Sequence, residues 1–208
     1  MVRTKKELAI RLSKVLKLGK PLKKFEQYET PSEIAAEMAW IAYQEGNVKD
    51  KEVCDLGCGT GILSIACGLL KARKVFGFDI DEEALKLARK NAEIFRLKNC
   101  KFIKKSFEDV NRRFDCTIMN PPFGRYPKHK DREFLQKAFQ ISDIVYSLHP
   151  SHSRKAIEKF ALRNKFETKL LKEFNFPIKK TFIWHKKRIL YFKASLLKFQ
   201  KFQKLDES

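Results

Sequence analysis

Short apolar runs alternate with longer amphipathic segments through the middle of the chain. The runs are rich in β-branched, aromatic and other apolar residues, which predicts strands over residues 52–56, 74–78, 100–103, 115–119 and 143–148. The intervening segments carry apolar residues at helical spacing, which predicts helices over residues 62–71, 81–95, 132–140 and 151–163. This alternation predicts an α/β fold with a doubly wound, mostly parallel sheet and helices on both faces. Ligands of such sheets bind at the carboxyl ends of the strands, near the reversal in strand order.

Both ends of the chain carry further elements. Residues 4–18 predict a basic amphipathic helix, and residues 33–44 predict a second helix with Ser32 as its N-cap. Residues 167–174 and 188–199 predict an antiparallel pair that closes a seven-stranded sheet. Asp131 is expected to cap the helix that follows it. We therefore predict a basic N-terminal helix within residues 1–24 and one α/β domain over residues 25–208.

The charge balance points to a polyanionic partner. Lys and Arg number 45 against 25 Asp and Glu, a formal charge of +20. Such a field attracts polyanions, so nucleic acid is favoured over an acidic membrane surface. Charge alone also leaves open a solvated, lysine-rich surface. Three basic clusters are candidate contacts: residues 98–105, 128–130 and 179–188. The second and third are expected near the substrate entrance.

Cysteine usage and hydropathy suggest where the protein works. The five cysteines show no CxxC pair and no zinc-ligand spacing, which predicts a reducing compartment and no metal site. The longest strongly apolar stretch, residues 62–70, is too short to span a bilayer. The N-terminus shows no signal-peptide core. We expect a cytoplasmic protein that does not associate with membranes.

A glycine-rich loop follows the first predicted strand of the alternating region. Asp55, Gly57, Gly59 and Gly61 follow a GxGxG spacing, which lets the backbone turn tightly and approach a ligand at a helix N-terminus. The spacing is not that of a dinucleotide fingerprint, and no P-loop lysine follows. Asp55 suits a ligand ammonium group better than a pyrophosphate. Asp79, at the end of the second strand, can accept both hydroxyls of a ribose. Together they predict a pocket for a nucleoside that carries an amino acid, that is, S-adenosyl-L-methionine.

A second motif, Asn120-Pro121-Pro122-Phe123, follows the fourth predicted strand. The prolines fix the backbone and remove two amide donors, so the turn presents the Asn120 side-chain oxygen and the Pro121 carbonyl as acceptors. Two acceptors can bind both hydrogens of an exocyclic amine and turn its lone pair toward an electrophilic methyl group. Phe123 offers a face on which a base that has left its stack can lie. Alone the motif is an ordinary proline turn; its place after a cofactor loop favours catalysis.

The motifs together resemble a known family, the small-subunit ribosomal RNA adenine-N6 methyltransferases of archaea and eukaryotes. The resemblance runs from about Phe25 to about Phe199. It rests on the glycine loop, the Asn-Pro-Pro-Phe turn, Gln27-Tyr28-x-Thr30-Pro31, Asp131, Tyr146-Ser147-Leu148-His149 and His185-Lys186-Lys187. It implies a class I, Rossmann-like methyltransferase domain over residues 25–208. It also implies an RNA substrate and a small zinc-containing activator protein as a partner.

The resemblance also implies a role for each site residue. Cofactor contacts would come from Gln27, Tyr28 and Thr30 at the methionine end, from Asp55, Gly57 and Gly59 along the pocket, from Asp79 at the ribose, and from Ser106 and Asn120. Asn120, Pro121 and Phe123 would hold the target adenine. Relatives commonly have an acidic residue at the position of Ser106; here the Ser106 hydroxyl, or Glu108 or Asp109 after a loop shift, would bond the cofactor adenine.

Two other functions use the same motifs. Guanine-N2 or glutamine side-chain methylation can use the same turn, although the glutamine enzymes usually have a sizeable N-terminal helical domain that this chain lacks room for. A non-catalytic RNA-binding or ribosome-assembly factor could keep the fold. The intact cofactor and catalytic residues favour an enzyme.

Overall fold

The computed structural model describes residues 2–18, 29–123, 130–179 and 189–203. Six α-helices lie in these ranges: α1 (Lys5–Leu12), α2 (Ser32–Gln44), α3 (Ile62–Leu69), α4 (Glu82–Ile94), α5 (Lys130–Ile141) and α6 (Arg154–Arg163). The seven strands are β1 (Glu52–Leu56), β2 (Lys74–Asp79), β3 (Cys100–Lys104), β4 (Cys116–Met119), β5 (Ile144–Pro150), β6 (Phe166–Lys179) and β7 (Ile189–Lys201). Two 3₁₀ turns, Phe107–Asp109 and Ser151–Ser153, complete the secondary structure of the described residues.

The seven strands form one sheet in the order β3-β2-β1-β4-β5-β7-β6. The first five strands are parallel, and β7 runs antiparallel to both β5 and β6. Buried apolar residues pack on both faces of the sheet, with α1 to α3 on one side and α5 on the other. The predicted Rossmann-like fold with an antiparallel closing pair is therefore confirmed. Strand order reverses between β1 and β4, which places the ligand crevice at the ends of these two strands.

The hairpin of β6 and β7 extends past the end of β5. Pairing between β5 and β7 stops at Pro150 and Ala194, whereas β6 and β7 continue to pair over residues 175–179 and 189–193. Five residue pairs correspond to about 17 Å of strand. Because β7 is antiparallel to β5, the extension projects beyond the carboxyl ends of the parallel strands, where the ligand crevice lies.

Helix α1 ends at Leu12, six residues before the predicted end at residue 18. Leu8, Leu12 and Val15 are buried against the domain, so the apolar stripe was interpreted correctly. The helix ends early because the Lys14 and Val15 amides donate to carbonyls three residues back and the Leu16 amide donates to the Asn91 side chain. The division of the chain at residue 24 lies outside the described residues and stays a prediction.

Two predicted helix caps are wrong. Ser32 is the first residue of α2, and Pro31 occupies the cap position, where its carbonyl accepts the Ala35 amide. Asp131 lies in the first turn of α5 rather than before it. Its carboxylate lies 3.7 Å from Nδ1 of the fully buried His149, so tertiary packing rather than helix capping positions it.

Three kinds of feature are absent from the described parts of the chain: membrane-spanning helices, metal-ligand clusters and disulfides. No helix there is long and apolar enough to cross a membrane. No group of three or more His, Cys, Asp or Glu residues could hold a metal ion in those ranges. All five cysteines are free thiols.

Candidate active site

Aromatic side chains pack against Gly57 and Gly61 of the glycine loop between β1 and α3, whereas no described side chain packs against the Cα of Gly59. Gly57, Gly59 and Gly61 all have positive φ, at 70°, 52° and 83°, which side chains other than glycine adopt at a cost. A Cβ on Gly61 would lie 2.9 Å from the Phe102 ring, and one on Gly57 would lie 3.0 Å from the Phe134 ring. Among the described residues, a Cβ on Gly59 would meet no atom within 4 Å apart from its chain neighbours. This part of the loop therefore leaves room for a ligand.

Asp79 connects the glycine loop to the end of β2. One carboxylate oxygen accepts the Gly59 amide at 2.8 Å, and the other accepts the Asp81 amide at 3.0 Å. A carboxylate has about four lone-pair sites, so two remain for the two hydroxyls of a ribose. Burial raises the pKa of the Asp79 carboxyl. The geometry fits the ribose role predicted for this residue.

Asp55 is buried at the end of β1 with only 1% of its surface exposed. One carboxylate oxygen accepts both the amide and the hydroxyl of Ser64, at 2.9 and 2.6 Å. The other oxygen has no hydrogen-bond partner among the described residues. Burial raises the pKa of the Asp55 carboxyl to about 7. A buried acceptor of this kind calls for a donor, and the ammonium group of a methionine moiety is such a donor.

Asn120 is held by the segment that precedes α2. Its amide nitrogen donates to the hydroxyl of the buried Thr30 at 2.9 Å. This bond holds the Asn120 side chain against the segment that precedes α2. Among the described residues, Thr30 therefore contacts Asn120 of the Asn-Pro-Pro-Phe turn. Gln27 and Tyr28, the other residues expected at the methionine end, lie outside the described residues.

Phe123 is braced by two aromatic rings that sequence reasoning missed. Its ring packs edge-on against Phe176 of β6, with centroids 5.6 Å apart, and against Phe192 of β7, at 5.0 Å. Both rings lie in the part of the hairpin that projects past β5, close to where the projection begins. The signal in the sequence was the aromatic content of the closing strands, but nothing in it tied that content to Phe123. The hairpin thus forms a wall beside the Asn-Pro-Pro-Phe turn.

The region after β3 lies behind the glycine loop. Ser106 caps the 3₁₀ turn, and its hydroxyl accepts the Glu108 amide at 3.4 Å. The next residue, Phe107, stacks on Phe134 with ring centroids 4.0 Å apart, and Phe134 in turn contacts Gly57. Sequence reasoning missed this aromatic pair as well. Glu108 and Asp109 are exposed, and which of the three polar residues bonds the cofactor adenine stays a prediction.

The basic clusters are only partly described. Lys98, Lys101, Lys104 and Lys105 are exposed around the edge strand β3. Lys128 and His129 lie outside the described residues, as do residues 180–188, including His185 to Arg188.

Comparison with known proteins gives the class first. A family model described as a methyltransferase domain matches residues 47–180, well over half of the chain. This range includes the glycine loop, Asp79 and the Asn-Pro-Pro-Phe turn. The chain is therefore an S-adenosylmethionine-dependent methyltransferase, as the crevice geometry indicates.

Full-length relatives narrow this class. The rRNA N(6)-adenosine-methyltransferase METTL5 of Danio rerio is 34% identical over 201 residues, which cover 93% of this chain and 97% of the relative. Its namesake in Drosophila melanogaster is 35% identical over 171 residues, or 78% and 80% of the two chains. The crystal structure of PH1948 from Pyrococcus horikoshii, a candidate RNA methyltransferase, superposes with a TM-score of 0.90 at 39% identity and covers 98% of this chain and all of that one. This chain belongs to the rRNA N6-adenosine-methyltransferase family, which confirms the resemblance seen in the sequence.

Proposed function

We propose that this enzyme transfers a methyl group from S-adenosyl-L-methionine to the N6 amine of one adenine in small-subunit ribosomal RNA. The printed functions of the full-length relatives support adenine in ribosomal RNA as the substrate. The charge of +20 supports a polyanionic substrate. The small subunit is the target that the family resemblance implies.

One observation carries the catalytic part of the proposal. The Asn120 amide nitrogen donates to Thr30, and Asn120 directly follows β4, the strand next to β1 and its glycine loop. In the proposed mechanism the side-chain oxygen of Asn120, and not its nitrogen, faces the target amine. An oxygen acceptor beside the Pro121 carbonyl matches the two hydrogens of an exocyclic amine.

The roles of the residues follow from this arrangement. Bound S-adenosyl-L-methionine supplies an electrophilic methyl group on a sulfonium centre. Asp55 would accept hydrogen bonds from the ligand ammonium, Asp79 would accept them from the ribose hydroxyls, and Gly57 and Gly59 would leave room for the ligand. Ser106 would bond the cofactor adenine, and Gln27 and Tyr28 would have the closing role that the family resemblance implies.

The target base is held by the turn after β4. Asn120 and the Pro121 carbonyl bind the two amine hydrogens and rotate the nitrogen lone pair out of conjugation with the ring. Phe123, braced by Phe176 and Phe192, provides a rigid face on which the base stacks. Positioning and electrostatic stabilisation supply the rate, so no general base of tuned pKa is needed before transfer. Transfer would form the bond between N6 and the methyl carbon as the carbon–sulfur bond breaks, and it would leave S-adenosyl-L-homocysteine. The methylated amine, which is then acidic, would lose one proton to solvent.

The decisive experiment identifies the methylated nucleoside. Small-subunit ribosomal RNA is incubated with the full chain and cofactor labelled in the methyl group, with and without a zinc-containing activator protein, and digested nucleosides are analysed by mass spectrometry. We expect labelled N6-methyladenosine. Labelled N2-methylguanosine, or no labelled nucleoside under either condition, would overturn the proposal.

Asn120→Ala separates an enzyme from an assembly factor. The variant keeps Asp55, Asp79 and the glycine loop, so it should still bind cofactor while turnover falls at least 100-fold, or about 3 kcal/mol in the transition state. Thr30→Val is a matched variant, because it removes the hydroxyl that orients Asn120 but keeps Asn120 itself. It should show a smaller loss of turnover. Unchanged turnover in Asn120→Ala would argue for a non-catalytic role.

The proposal includes a cytoplasmic location and a small zinc-containing activator. Five free thiols, four of them buried, suit a reducing compartment. The activator is tested in the same assay, since a chain that depends on it should gain activity and thermal stability when the two are mixed.

A further inference from the structure

A buried asparagine in α4 bonds two distant parts of the chain at once. Asn91 is fully buried, and its side-chain oxygen accepts the Leu16 amide at 2.8 Å. Its amide nitrogen donates to the Thr60 carbonyl at 2.9 Å and to the Leu16 carbonyl at 3.2 Å. One side chain therefore satisfies three backbone groups, none of which belongs to its own helix.

The two partners belong to different parts of the chain, the glycine loop and the residues that follow α1. Thr60 stands between Gly59 and Gly61 in the glycine loop. Leu16 stands where the chain leaves α1 and enters the segment that contains Gln27 and Tyr28 and that reaches Thr30. Thr30, at the far end of this segment, is bonded by Asn120. Asn91 thus bonds Leu16 at one end of this segment, and Asn120 bonds Thr30 at the other. Asn91 also bonds the glycine loop, and Asn120 belongs to the turn after β4.

The glycine loop needs such a restraint. Three glycines with positive φ give the loop a wide choice of backbone conformations, and no described side chain packs against the Cα of Gly59. A hydrogen bond to the Thr60 carbonyl fixes the peptide between Gly59 and Gly61. A buried, fully bonded amide is a rigid restraint, because no water is present to replace a lost partner.

We propose that Asn91 is a positioning residue for the cofactor: it holds the glycine loop in the binding conformation and ties that loop to the N-terminal segment. The proposal rests on the cofactor site described above. It explains why residues 4–16 pack on the domain beside the glycine loop. It predicts that cofactor binding at the loop stabilises the Leu16 hydrogen bond, and that loss of Asn91 weakens cofactor binding without removing any cofactor contact.

Asn91→Ala is tested against a matched control, Asn99→Ala. Asn99 also donates its side-chain amide to two backbone carbonyls, those of Ala72 at 2.8 Å and Gly68 at 3.4 Å, at the end of α3 that points away from the glycine loop. Both variants should lose comparable thermal stability. Calorimetric titration of the full chain should show a tenfold or larger rise in the Kd for S-adenosyl-L-methionine in Asn91→Ala and less than a twofold change in Asn99→Ala. Equal Kd values in the two variants would overturn the proposal.

A second measurement needs no variant and therefore does not depend on Asn91→Ala folding. Hydrogen exchange of the wild-type chain is followed by NMR with and without cofactor. The Leu16 amide, which donates to Asn91, should exchange at least fivefold more slowly when cofactor is bound, whereas the Asn47 amide, which donates to the Ala42 carbonyl away from the loop, should not change. An unchanged Leu16 rate would overturn the coupling. Both readouts measure binding, so a failure of the proposed RNA target would leave them interpretable.

Discussion

The burial of Asp55 makes cofactor affinity depend on pH. In the cofactor-free protein its pKa is raised to about 7 because burial penalises the charged carboxylate. The ammonium group of the cofactor needs the ionised form, so affinity should fall as pH falls through 7. Because the native pKa lies above the ordinary aspartate value of 3.8, the stability contribution of Asp55 is fully present below pH 3.8 and is lost as pH rises through about 7. Lower pH therefore stabilises the cofactor-free protein and weakens cofactor binding.

The size of the effect follows from the pKa. About 50% of Asp55 is ionised at pH 7 and about 9% at pH 6, so affinity should weaken about fivefold over this unit. At pH 5.5 about 3% is ionised, and the loss should reach about 16-fold. The α-amino group of the ligand titrates near 8, so it stays protonated throughout this range. At pH 7 binding should also release about half a proton per site.

Isothermal titration between pH 5.5 and 7 measures both quantities, with proton release read from two buffers of different ionisation enthalpy. Methylthioadenosine is the control ligand, because it keeps the ribose and the adenine but lacks the amino acid. It should bind with almost the same affinity across the range. Asp55→Asn should remove the pH dependence while keeping a partner for Ser64. A pH-independent Kd in the wild-type chain, or an equal slope for methylthioadenosine, would refute the reasoning.

Three further predictions concern the crevice walls. Gly61→Ala should lower the free energy of unfolding in urea by about 1–3 kcal/mol, because the added Cβ meets Phe102. Gly59→Ala should lower it less but should weaken cofactor binding more than tenfold. Normal cofactor binding in Gly59→Ala would contradict this prediction. Phe192→Leu should lower kcat/KM for RNA about tenfold at unchanged cofactor Kd, because an edge-on aromatic contact is worth about 0.5–1.5 kcal/mol. Tyr191→Ala should raise the KM for RNA about fivefold or more, because Tyr191 is 65% exposed on the projecting hairpin and a stacked base is worth about 1–3 kcal/mol. Leu162→Ala is the control, because Leu162 is 62% exposed but lies on α6. Equal effects of the two variants would exclude a stacking role.

The sequence predicted the parts of the site that depend on local order. The Asp55 to Gly61 loop and the Asn-Pro-Pro-Phe turn each follow a strand directly, and parallel strands bring their carboxyl ends to one edge. Short apolar runs predicted β1 to β5 with ends within two residues, and helical spacing of apolar residues revealed the buried stripe of α1. The predicted end of β6 fell five residues short of Lys179. A glycine spacing or an apolar period is written within a few consecutive residues, so it can be recognised without knowledge of the fold.

Other features were decided only by tertiary structure. Asn91 and Leu16 are 75 positions apart, Asn120 and Thr30 are 90 apart, and neither asparagine carries a sequence signal for its partner. The bracing of Phe123 by the closing hairpin likewise depends on how far β6 and β7 extend past β5. A buried amide or ring takes the partner that chain packing brings within reach, and packing is a property of the whole sheet and its helices. For this reason the chemistry of the site was visible in the sequence, while the contacts that hold it in place were not.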